Sequence, residues 1–494
     1  MSELFLFVRP PRAAWPFNGP GSAFWPPLAF ASLAGALRQA LPDVRVAILD
    51  APILAMGWDG LAADLHRLQP AYVGIGEEAV SCREGLRLAQ LAKATGARVI
   101  AGGCFFSHLA ADLLKTRWID VVVHGEGERT IVELVQALRS HAKADLARVA
   151  GISFLDGEAV VRTAPRPLIE DLDRLPMPAY DLLPFERYGR TSRNHPRLAA
   201  IEFSRGCTGS CAFCVLWRQM GRFEGNRLVP CLRVKTPERL LEETRILVHR
   251  FGRRYLGWVD PCFNADPTVP ARLAEALLRE NLRVGQSAWV RAEGVARDAA
   301  SGALAACVRA GLNEVYLGIE RGDSASLGCL DKPMNLDDAR TALELLARQF
   351  PRVFTVGSFI YGLPDDTPQS VRALCRFALD LPLDKAFFIP LTPLPGTPYW
   401  RPEFWDPTGQ RFRQFDFLPG AHGNHHAQDL ERALLKALAL DWTWARVRGY
   451  WRSVTRGGAR KRRMTCRLFA RSVGFVGRRI LESVWNTTTT LQKS

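Results

Sequence analysis

Three cysteines, Cys207, Cys211 and Cys214, stand within eight residues near the middle of the chain. Thiolates are the usual ligands of iron–sulfur clusters, and three on one loop can each reach a different iron of a single [4Fe–4S] cubane. A cubane has four irons, so three cysteines leave one iron open to a substrate or a cofactor. Gly206 and Gly209 would allow the loop to bend tightly around such a cluster.

A structural zinc site is the main alternative for these cysteines. Such a site usually has four protein ligands arranged as two close pairs. The next cysteine, Cys231, lies seventeen residues beyond Cys214 and has no second cysteine near it. The spacing therefore favours the iron–sulfur cluster.

The cysteine loop lies at the start of a region, residues 196–400, in which strand-like and helix-like segments alternate. The predicted strands are Ala199–Ser204, Tyr255–Val259, Val284–Val290, Glu314–Ile319, Phe354–Ile360 and Ala386–Ile389. Six strand–helix units predict a partial, TIM-like (β/α)6 barrel, and active sites of such barrels lie at the carboxyl ends of the strands. Because the cysteines follow the first strand, we expect them at the catalytic mouth.

A second α/β pattern occupies residues 1–145 and predicts a doubly wound, Rossmann-like domain. Its predicted strands are Leu4–Val8, Val44–Leu49, Ala71–Ile75, Val99–Ala101 and Val121–Val123. Gly102–Gly103 and Gly125–Glu128 each follow one of these strands, where ligand crevices form in open parallel sheets. Residues 146–195 read as a connector between the two domains.

Composition places the protein among folded cytoplasmic proteins. The chain has 494 residues, enough for two to four domains, and its eleven cysteines occur without a secretion signal, which argues against a disulfide framework. No window reaches the roughly 18 apolar residues of a membrane-spanning helix. The net charge of +15 is concentrated near the end of the chain, so it does not indicate a nucleic-acid partner.

The C-terminal region, residues 401–494, is predicted to be helical and basic. Residues 441–494 contain thirteen Lys and Arg against two Asp and Glu, and Arg460–Arg463 precedes a segment that mixes apolar residues with arginines. Such a helix could lie on an anionic membrane surface as a peripheral contact. Packing of one face on the barrel is the more frequent outcome for an amphipathic helix.

The spacing Cys-x3-Cys-x2-Cys, with an aromatic residue before the third cysteine, resembles the motif of the radical S-adenosylmethionine (SAM) superfamily. The resemblance implies that SAM chelates the open iron and that reduction, by a partner such as flavodoxin or ferredoxin, cleaves SAM to a 5′-deoxyadenosyl radical. The implied SAM contacts at successive strand ends are Phe213, Asp260, Arg291, Glu320, Gly362 and Pro364. Glu320 could instead pair with a nearby arginine, such as Arg321 or Arg291, and residues 362–364 could form a plain turn.

The N-terminal pattern resembles the cobalamin-binding domain that precedes the barrel in one large radical SAM subfamily. The resemblance implies cobalamin contacts in the loops Glu77–Cys82, Gly102–Cys104 and His124–Glu128, with Gly102, Gly103, Gly125 and Glu126 as the expected binding residues. The cobalt-binding motif Asp-x-His-x-x-Gly is absent, so we expect no histidine on cobalt. The alternative is a doubly wound domain that binds nothing.

The whole chain resembles the group that contains the anaerobic magnesium-protoporphyrin monomethyl ester cyclase and cobalamin-dependent methyltransferases, with Trp25-Pro26-Pro27 among the shared features. The leading hypothesis is methylation of an unactivated carbon in a small-molecule or lipid-like substrate. The alternatives are an oxidative cyclase or hydroxylase acting on a tetrapyrrole-like substrate and a non-catalytic carrier of cobalamin or cluster. No residue is assigned as a general acid or base.

Overall fold

The structure is a computed structural model that describes residues 3–11, 25–76, 81–140, 143–190, 192, 194–404 and 427–440, together with 461, 462 and 466. Most of the predicted Glu77–Cys82 loop lies outside the described residues. The same holds for nearly all of the predicted C-terminal basic helix beyond residue 440.

Within the described residues, the first sheet has seven strands in the order β2-β1-β3-β4-β5-β6-β7, and β1 to β5 run parallel. These strands are β1 (Leu4–Arg9), β2 (Arg45–Asp50), β3 (Tyr72–Ile75), β4 (Arg98–Ala101), β5 (Val121–Val123), β6 (Ile152–Asp156) and β7 (Ala159–Arg162). Phe5 and Phe7 face one apolar core, while Leu4, Leu6 and Val8 face another. A strand buried on both faces needs helices on both sides, as the doubly wound prediction requires.

The helices of this part of the chain flank the sheet and follow its strands. They are α1 (Leu28–Ala40), α2 (Ala51–Leu54), α3 (Trp58–Leu68), α4 (Cys82–Ala94), α5 (Gly103–His108), α6 (Ala110–Lys115), α7 (Glu128–Arg139) and α8 (Lys143–Leu146). Within the segment predicted as a connector, β6 and β7 form a hairpin around Gly157 and extend the sheet as antiparallel strands.

The second sheet, in the part of the chain that the structure describes, has six parallel strands in the order β17-β16-β15-β14-β13-β8. They are β8 (Leu198–Ile201), β13 (Tyr255–Trp258), β14 (Gly285–Val290), β15 (Leu312–Glu320), β16 (Phe354–Tyr361) and β17 (Lys385–Pro390). Sequential parallel strands with intervening helices confirm the predicted partial barrel. The domain limits at residues 145 and 195 stay a prediction.

The helices of the barrel region pack against its sheet. They are α9 (Leu216–Gln219), α10 (Pro237–Arg245, with a π-helical turn at Ile246–Arg250), α11 (Thr268–Arg279), α12 (Ala292–Ala300), α13 (Ala303–Ala310), α14 (Ser324–Cys329), α15 (Leu336–Gln349), α16 (Pro368–Asp380) and α17 (Ala427–Leu440). In α17, Leu430, Leu434 and Ala437 join the barrel core.

The first predicted barrel strand, Ala199–Ser204, is interrupted in the structure. It ends as β8 at Ile201, and the chain resumes as β9 (Ser204–Gly206), which pairs antiparallel with β12 (Leu232–Val234). Between β9 and β12, β10 (Arg222–Glu224) and β11 (Arg227–Val229) form a hairpin. The short β9–β12 ladder therefore leads directly into the cysteine loop.

A buried network of charges joins the two sheets. Arg205 of β9 places Nη1 2.8 Å from Oε1 of Glu126 and Nη2 2.6 Å from Oε1 of Glu128, and Arg233 of β12 places Nη1 2.7 Å from Oε2 of Glu126. All four side chains are at most 8% exposed. Burial alone would raise the pKa of Glu126, but Arg205 and Arg233 hold that pKa below its usual value. The carboxylate of Glu126 lies inside this network, and its predicted contact with cobalamin stays a prediction.

Lys461, from the basic Arg460–Arg463 segment, packs against the barrel. Its Nζ lies 2.8 Å from Oδ2 of Asp384 and donates to the carbonyl of Val353 at 3.0 Å. This contact concerns Lys461 alone, and the packing of the helix beyond it stays a prediction. None of the described helices is long and apolar enough to cross a membrane.

Removing one charge from the network should destabilise the fold. We expect Glu126→Gln to lower the free energy of unfolding by about 3 kcal/mol, because Arg205 and Arg233 would then be buried without full compensation. Urea denaturation of the cofactor-free protein measures this change. Glu158→Gln is the control, since Glu158 forms an exposed ion pair with Arg117 and should change stability by less than about 0.5 kcal/mol. Equal stability of the two variants would contradict the prediction.

Candidate cofactor site between the two sheets

The first cysteine of the loop is fixed by the β9–β12 ladder. The backbone N–H of Cys207 donates to the carbonyl of Cys231 at 3.2 Å. Gly206 has φ +90°, and a Cβ atom at this position would lie 1.8 Å from the Cys231 carbonyl oxygen. Only glycine therefore allows the chain to turn here from the β9–β12 ladder into Cys207.

The second and third cysteines are held by backbone contacts and by one tryptophan. The N–H of Ala212 donates to the carbonyl of Leu330 at 2.8 Å, and the indole Nε1–H of Trp217 donates to the carbonyl of Cys211 at 2.9 Å. The N–H of Cys214 donates to the same Cys211 carbonyl at 3.1 Å. The loop is thus anchored on both sides of Cys211.

The electrostatics of the loop fit a metal cluster. Burial raises the pKa of the Cys211 thiol to about 11 and also raises the pKa of Cys214, and the charges of neighbouring thiols add to both shifts. Three thiolates so close together need a positive counter-charge, which iron supplies on binding. All three cysteines are free thiols.

A single metal ion does not match this arrangement. Among the described residues, no group of three or more His, Cys, Asp or Glu side chains is placed to hold one ion. A cubane has a different requirement, because each thiolate binds its own iron. The donor set therefore fits a cluster held by Cys207, Cys211 and Cys214.

Asp260, predicted to contact SAM, supports the segment that leads into the cysteine loop. Its carboxylate is fully buried and accepts hydrogen bonds from the N–H of Phe203 at 3.0 Å and the hydroxyl of Ser204 at 2.8 Å, with a further bond from the Ser204 N–H. These bonds replace strand pairing just beyond Ile201 and explain why the first barrel strand is interrupted. Burial and the charge of Glu202 raise the pKa of Asp260 to about 7.

Arg291, at the end of β14, lies against the cysteine loop. A Cβ atom on Gly209 would come within 2.4 Å of Nη1 of Arg291, so the guanidinium occupies the space that Gly209 leaves free. Nη2 donates to the carbonyl of Pro333 at 3.1 Å, and the side chain also pairs with Glu293. Arg291, predicted to contact SAM, thus lies close to the cysteines, and its guanidinium is also paired with the carboxylate of Glu293.

Glu320 adopts an unusual backbone conformation at the end of β15. It is a non-glycine residue with φ +66°, it follows a bulge in the pairing with β16, and its side chain is buried. Strain of this kind persists where the surrounding structure fixes it, often at functional sites. Its pKa is raised by burial, an effect that Lys332 opposes.

Lys332 is the partner of Glu320, and sequence analysis missed it. Its Nζ lies 3.3 Å from Oε1 of Glu320. Burial alone would lower the pKa of Lys332, but the charges of Glu320 and Cys211 raise it, so the ammonium keeps its proton. The suggested pairing of Glu320 with Arg321 or Arg291 is wrong. Lys332 lies in the loop between α14 and α15, away from the strand ends, so the sequence pattern gave no signal for it.

The turn at Gly362–Pro364 is held by a buried salt bridge. Asp366 accepts from the N–H of Gly362 at 2.7 Å and pairs with Nη2 of Arg321 at 2.6 Å. Leu363 of this turn belongs to a small apolar cluster against which Phe213 packs. The structure therefore brings Phe213 and the turn together through Leu363, while Arg321 and Asp366 hold the turn itself.

The glycines of the N-terminal sheet line its carboxyl edge. Gly103 and Gly125 are exposed and have φ +87° and +69°, and Gly102 precedes α5. The Sγ of Cys104 contacts Oε1 of Gln219 in α9, just beyond the cysteine loop. This contact places the glycine edge beside the cysteine loop, and the region between them is called the crevice.

Comparison with known proteins places the barrel in a family. The family model described as "Radical SAM superfamily" matches residues 201–378, which include the cysteine loop. An uncharacterized methyltransferase of Pyrococcus horikoshii is 30% identical over 381 residues, covering 76% of this chain and 78% of the relative. The chain belongs to the radical SAM superfamily.

The N-terminal part of this radical SAM enzyme matches a second family. The model described as "B12 binding domain" matches residues 21–135. The two matches confirm the three predicted cofactors, a [4Fe–4S] cluster, SAM and cobalamin, as those of the families that make up the chain.

Two further comparisons extend over most of the chain and include both domains. The anaerobic magnesium-protoporphyrin IX monomethyl ester cyclase of Cereibacter sphaeroides is 29% identical over 76% of this chain and 60% of its own length. The structure of the radical SAM methyltransferase TsrM from Kitasatospora setae, with cobalamin and a [4Fe–4S] cluster bound, superposes with a TM-score of 0.62 at 19% identity, covering 81% of this chain and 77% of that chain. The structural likeness shows the shared fold.

Substitution of Gly206 should prevent cluster assembly. In Gly206→Ala the added Cβ would collide with the Cys231 carbonyl, so Cys207 must move. We expect the iron content after anaerobic reconstitution to fall to roughly a tenth of the wild-type value, as for other supports of metal ligands.

Gly225→Ala provides the matched control. Gly225 also has positive φ, +60°, but a Cβ atom there would meet nothing within 4 Å. Backbone strain should cost about 1 kcal/mol of stability without loss of iron. Equal iron contents in the two variants would show that the contact with Cys231 does not matter.

Proposed function

We propose that this chain is a cobalamin-dependent radical SAM methyltransferase that methylates an unactivated carbon of a small-molecule or lipid-like substrate. The observation that carries the proposal is the contact of Cys104 with Gln219, which places the glycine edge of the B12-binding domain beside the helix that follows the cysteine loop. The relatives named as methyltransferases, from P. horikoshii and K. setae, support methyl transfer as the reaction.

When bound, the cluster and SAM supply a carbon-centred radical that abstracts hydrogen from the substrate, and cobalamin supplies the methyl group. The protein residues position these groups. Cys207, Cys211 and Cys214 would hold the cluster. Phe213, Arg291, Glu320, Gly362 and Pro364 would hold SAM. Gly102, Gly103 and Gly125 would line the corrin side of the crevice.

Lys332 places a positive charge at the mouth of the barrel, where the carboxyl ends of its strands lie. Because Glu320 and Cys211 keep its ammonium protonated, a fixed positive charge lies beside the cysteine loop. In this proposal Lys332 positions the strained Glu320 carboxylate toward the SAM side of the crevice. A buried ammonium of this kind also attracts the carboxylate of an incoming ligand.

The second candidate is an oxidative cyclase or hydroxylase acting on a tetrapyrrole-like substrate. The likeness to the C. sphaeroides cyclase over 76% of the chain favours it. The two reactions share hydrogen abstraction and differ in product, because methyl transfer adds a methyl group whereas the alternative adds oxygen or removes hydrogen. Membership of an enzyme superfamily leaves the non-catalytic carrier without support.

The reaction implies an electron donor and a location. We propose a small reducing partner, such as flavodoxin or ferredoxin, and a cytoplasmic site of action, where thiols stay reduced. Peripheral membrane contact through the C-terminal basic segment would suit a lipid-like substrate.

Loss of one cluster ligand should abolish SAM cleavage. We expect reconstituted wild-type protein with a strong reductant to form 5′-deoxyadenosine and Cys211→Ala to form it at the rate of the protein-free reaction. Cys329→Ala is the control, since Cys329 is exposed and lies outside the cysteine loop. Undiminished 5′-deoxyadenosine formation by Cys211→Ala would overturn the cluster assignment.

Labelled SAM separates the two candidate reactions without a known substrate. We expect reduced, cobalamin-loaded protein given SAM with a deuterated methyl group to transfer that group to cobalamin, which mass spectrometry of the released corrinoid detects. A cyclase has no need of this transfer. Cobalamin that stays unlabelled while SAM is cleaved would favour the cyclase.

A further inference from the structure

Arg218 lies in α9, four residues beyond Cys214, and its orientation depends on the cysteine loop. Its guanidinium stacks on the ring of Trp217 at 4.5 Å, and the indole of Trp217 donates to the Cys211 carbonyl at 2.9 Å. The side chain is therefore oriented by the loop that would hold the cluster, not by a carboxylate.

The guanidinium of Arg218 has no counter-charge in the described part of the chain. Its Nε is buried without a hydrogen-bond partner, and no described Asp or Glu pairs with it. By contrast, Arg205 and Arg321 each pair with a buried carboxylate. A partly buried guanidinium without an anion is costly, so its arrangement suits a ligand that supplies one.

Further basic groups extend from Arg218 along the edge of the N-terminal sheet. His108 at the end of α5 has its pKa lowered by partial removal from water and by the charges of Arg162 and Arg218. His124 accepts or donates a hydrogen bond with the Ser153 hydroxyl at 2.8 Å, and Ser153 pairs with Arg162 across β6 and β7. The charge of Arg162 also contributes to the lowered pKa of His124, although removal from water is the larger cause.

This basic group of residues borders the crevice between the sheets. Gln219, the neighbour of Arg218, contacts Cys104 beside the Gly102–Gly103 edge. His108 also packs against Gly396, so it lies where the chain beyond β17 meets the N-terminal domain. A ligand in the crevice would therefore pass close to Arg218, Arg162 and His108.

We propose that Arg218, with Arg162 and His108, forms a subsite for one anionic group, a phosphate or a carboxylate, of a ligand in the crevice. Guanidinium groups bind such oxyanions through charge-assisted, often bidentate hydrogen bonds. One source is the phosphodiester in the nucleotide loop of cobalamin, which rests on the proposed cobalamin dependence. The other source is an acidic group of the substrate.

Binding of two corrinoids tests the first source. Hydroxocobalamin carries the phosphodiester, whereas cobinamide has the same corrin ring without the nucleotide loop. We expect Arg218→Gln to bind hydroxocobalamin roughly ten- to a hundredfold more weakly than wild type in equilibrium dialysis, with cobinamide unchanged. Arg222→Gln is the matched control, because Arg222 is exposed, lies four residues further on and pairs with Glu170 at 2.8 Å. It should behave as wild type.

Inorganic phosphate tests the second source. If Arg218→Gln keeps full affinity for hydroxocobalamin, but phosphate raises the melting temperature of cobalamin-loaded wild type and not of that variant, the subsite serves an acidic group of the substrate. Arg162→Gln should show a weaker form of the same effect and should fold as wild type, because Arg162 is exposed.

The subsite is overturned if Arg218→Gln equals wild type for both corrinoids and for phosphate. Failure of wild type to bind either corrinoid would count against the proposed cobalamin dependence instead. In that event, phosphate binding to the cofactor-free protein still decides whether Arg218 forms an anion subsite.

Discussion

Arg205 is the residue on which the relation between the two sheets depends. It lies two positions before the first cysteine of the loop, and its guanidinium is bound by Glu126 and Glu128 from the other domain. If these buried charges were separated from one another, each would be strongly unfavourable in the low-dielectric interior. The network therefore favours the domain arrangement in which all of them are paired. The strand that presents Cys207 is therefore held from both sides of the crevice.

At the mouth of the barrel, backbone strain and charge also hold side chains in fixed positions. Glu320 is kept at positive φ beside Lys332, and Arg291 fills the space over Gly209. Each of these side chains is held by contacts within the protein. The site is thus largely formed before a cofactor binds, which reduces the ordering that binding must achieve.

The sequence was informative where the signal is local. Alternating apolar runs predicted the strands of both sheets, and the cysteine spacing predicted the donor set. Partnerships between distant residues could not be predicted in this way. Asp260 accepts from Phe203, 57 positions earlier, and Glu126 pairs with Arg205, 79 positions later. A carboxylate beside glycines after a strand has the same local pattern whether it meets a ligand or an arginine, so the sequence did not predict the pairing of Glu126 with Arg205.

The incomplete closure of the barrel has a consequence for the range of molecules that this architecture can accept. In the described sheet, β8 and β17 are the two edge strands and are not joined by a hydrogen-bonded ladder. Side chains and covering loops, not strand register, set the width of the gap between these two strands. Side chains and loops tolerate substitution more readily than strand register does. Substitutions along these two edges could therefore admit a bulkier or longer guest while the cysteine end of the same strands keeps its geometry.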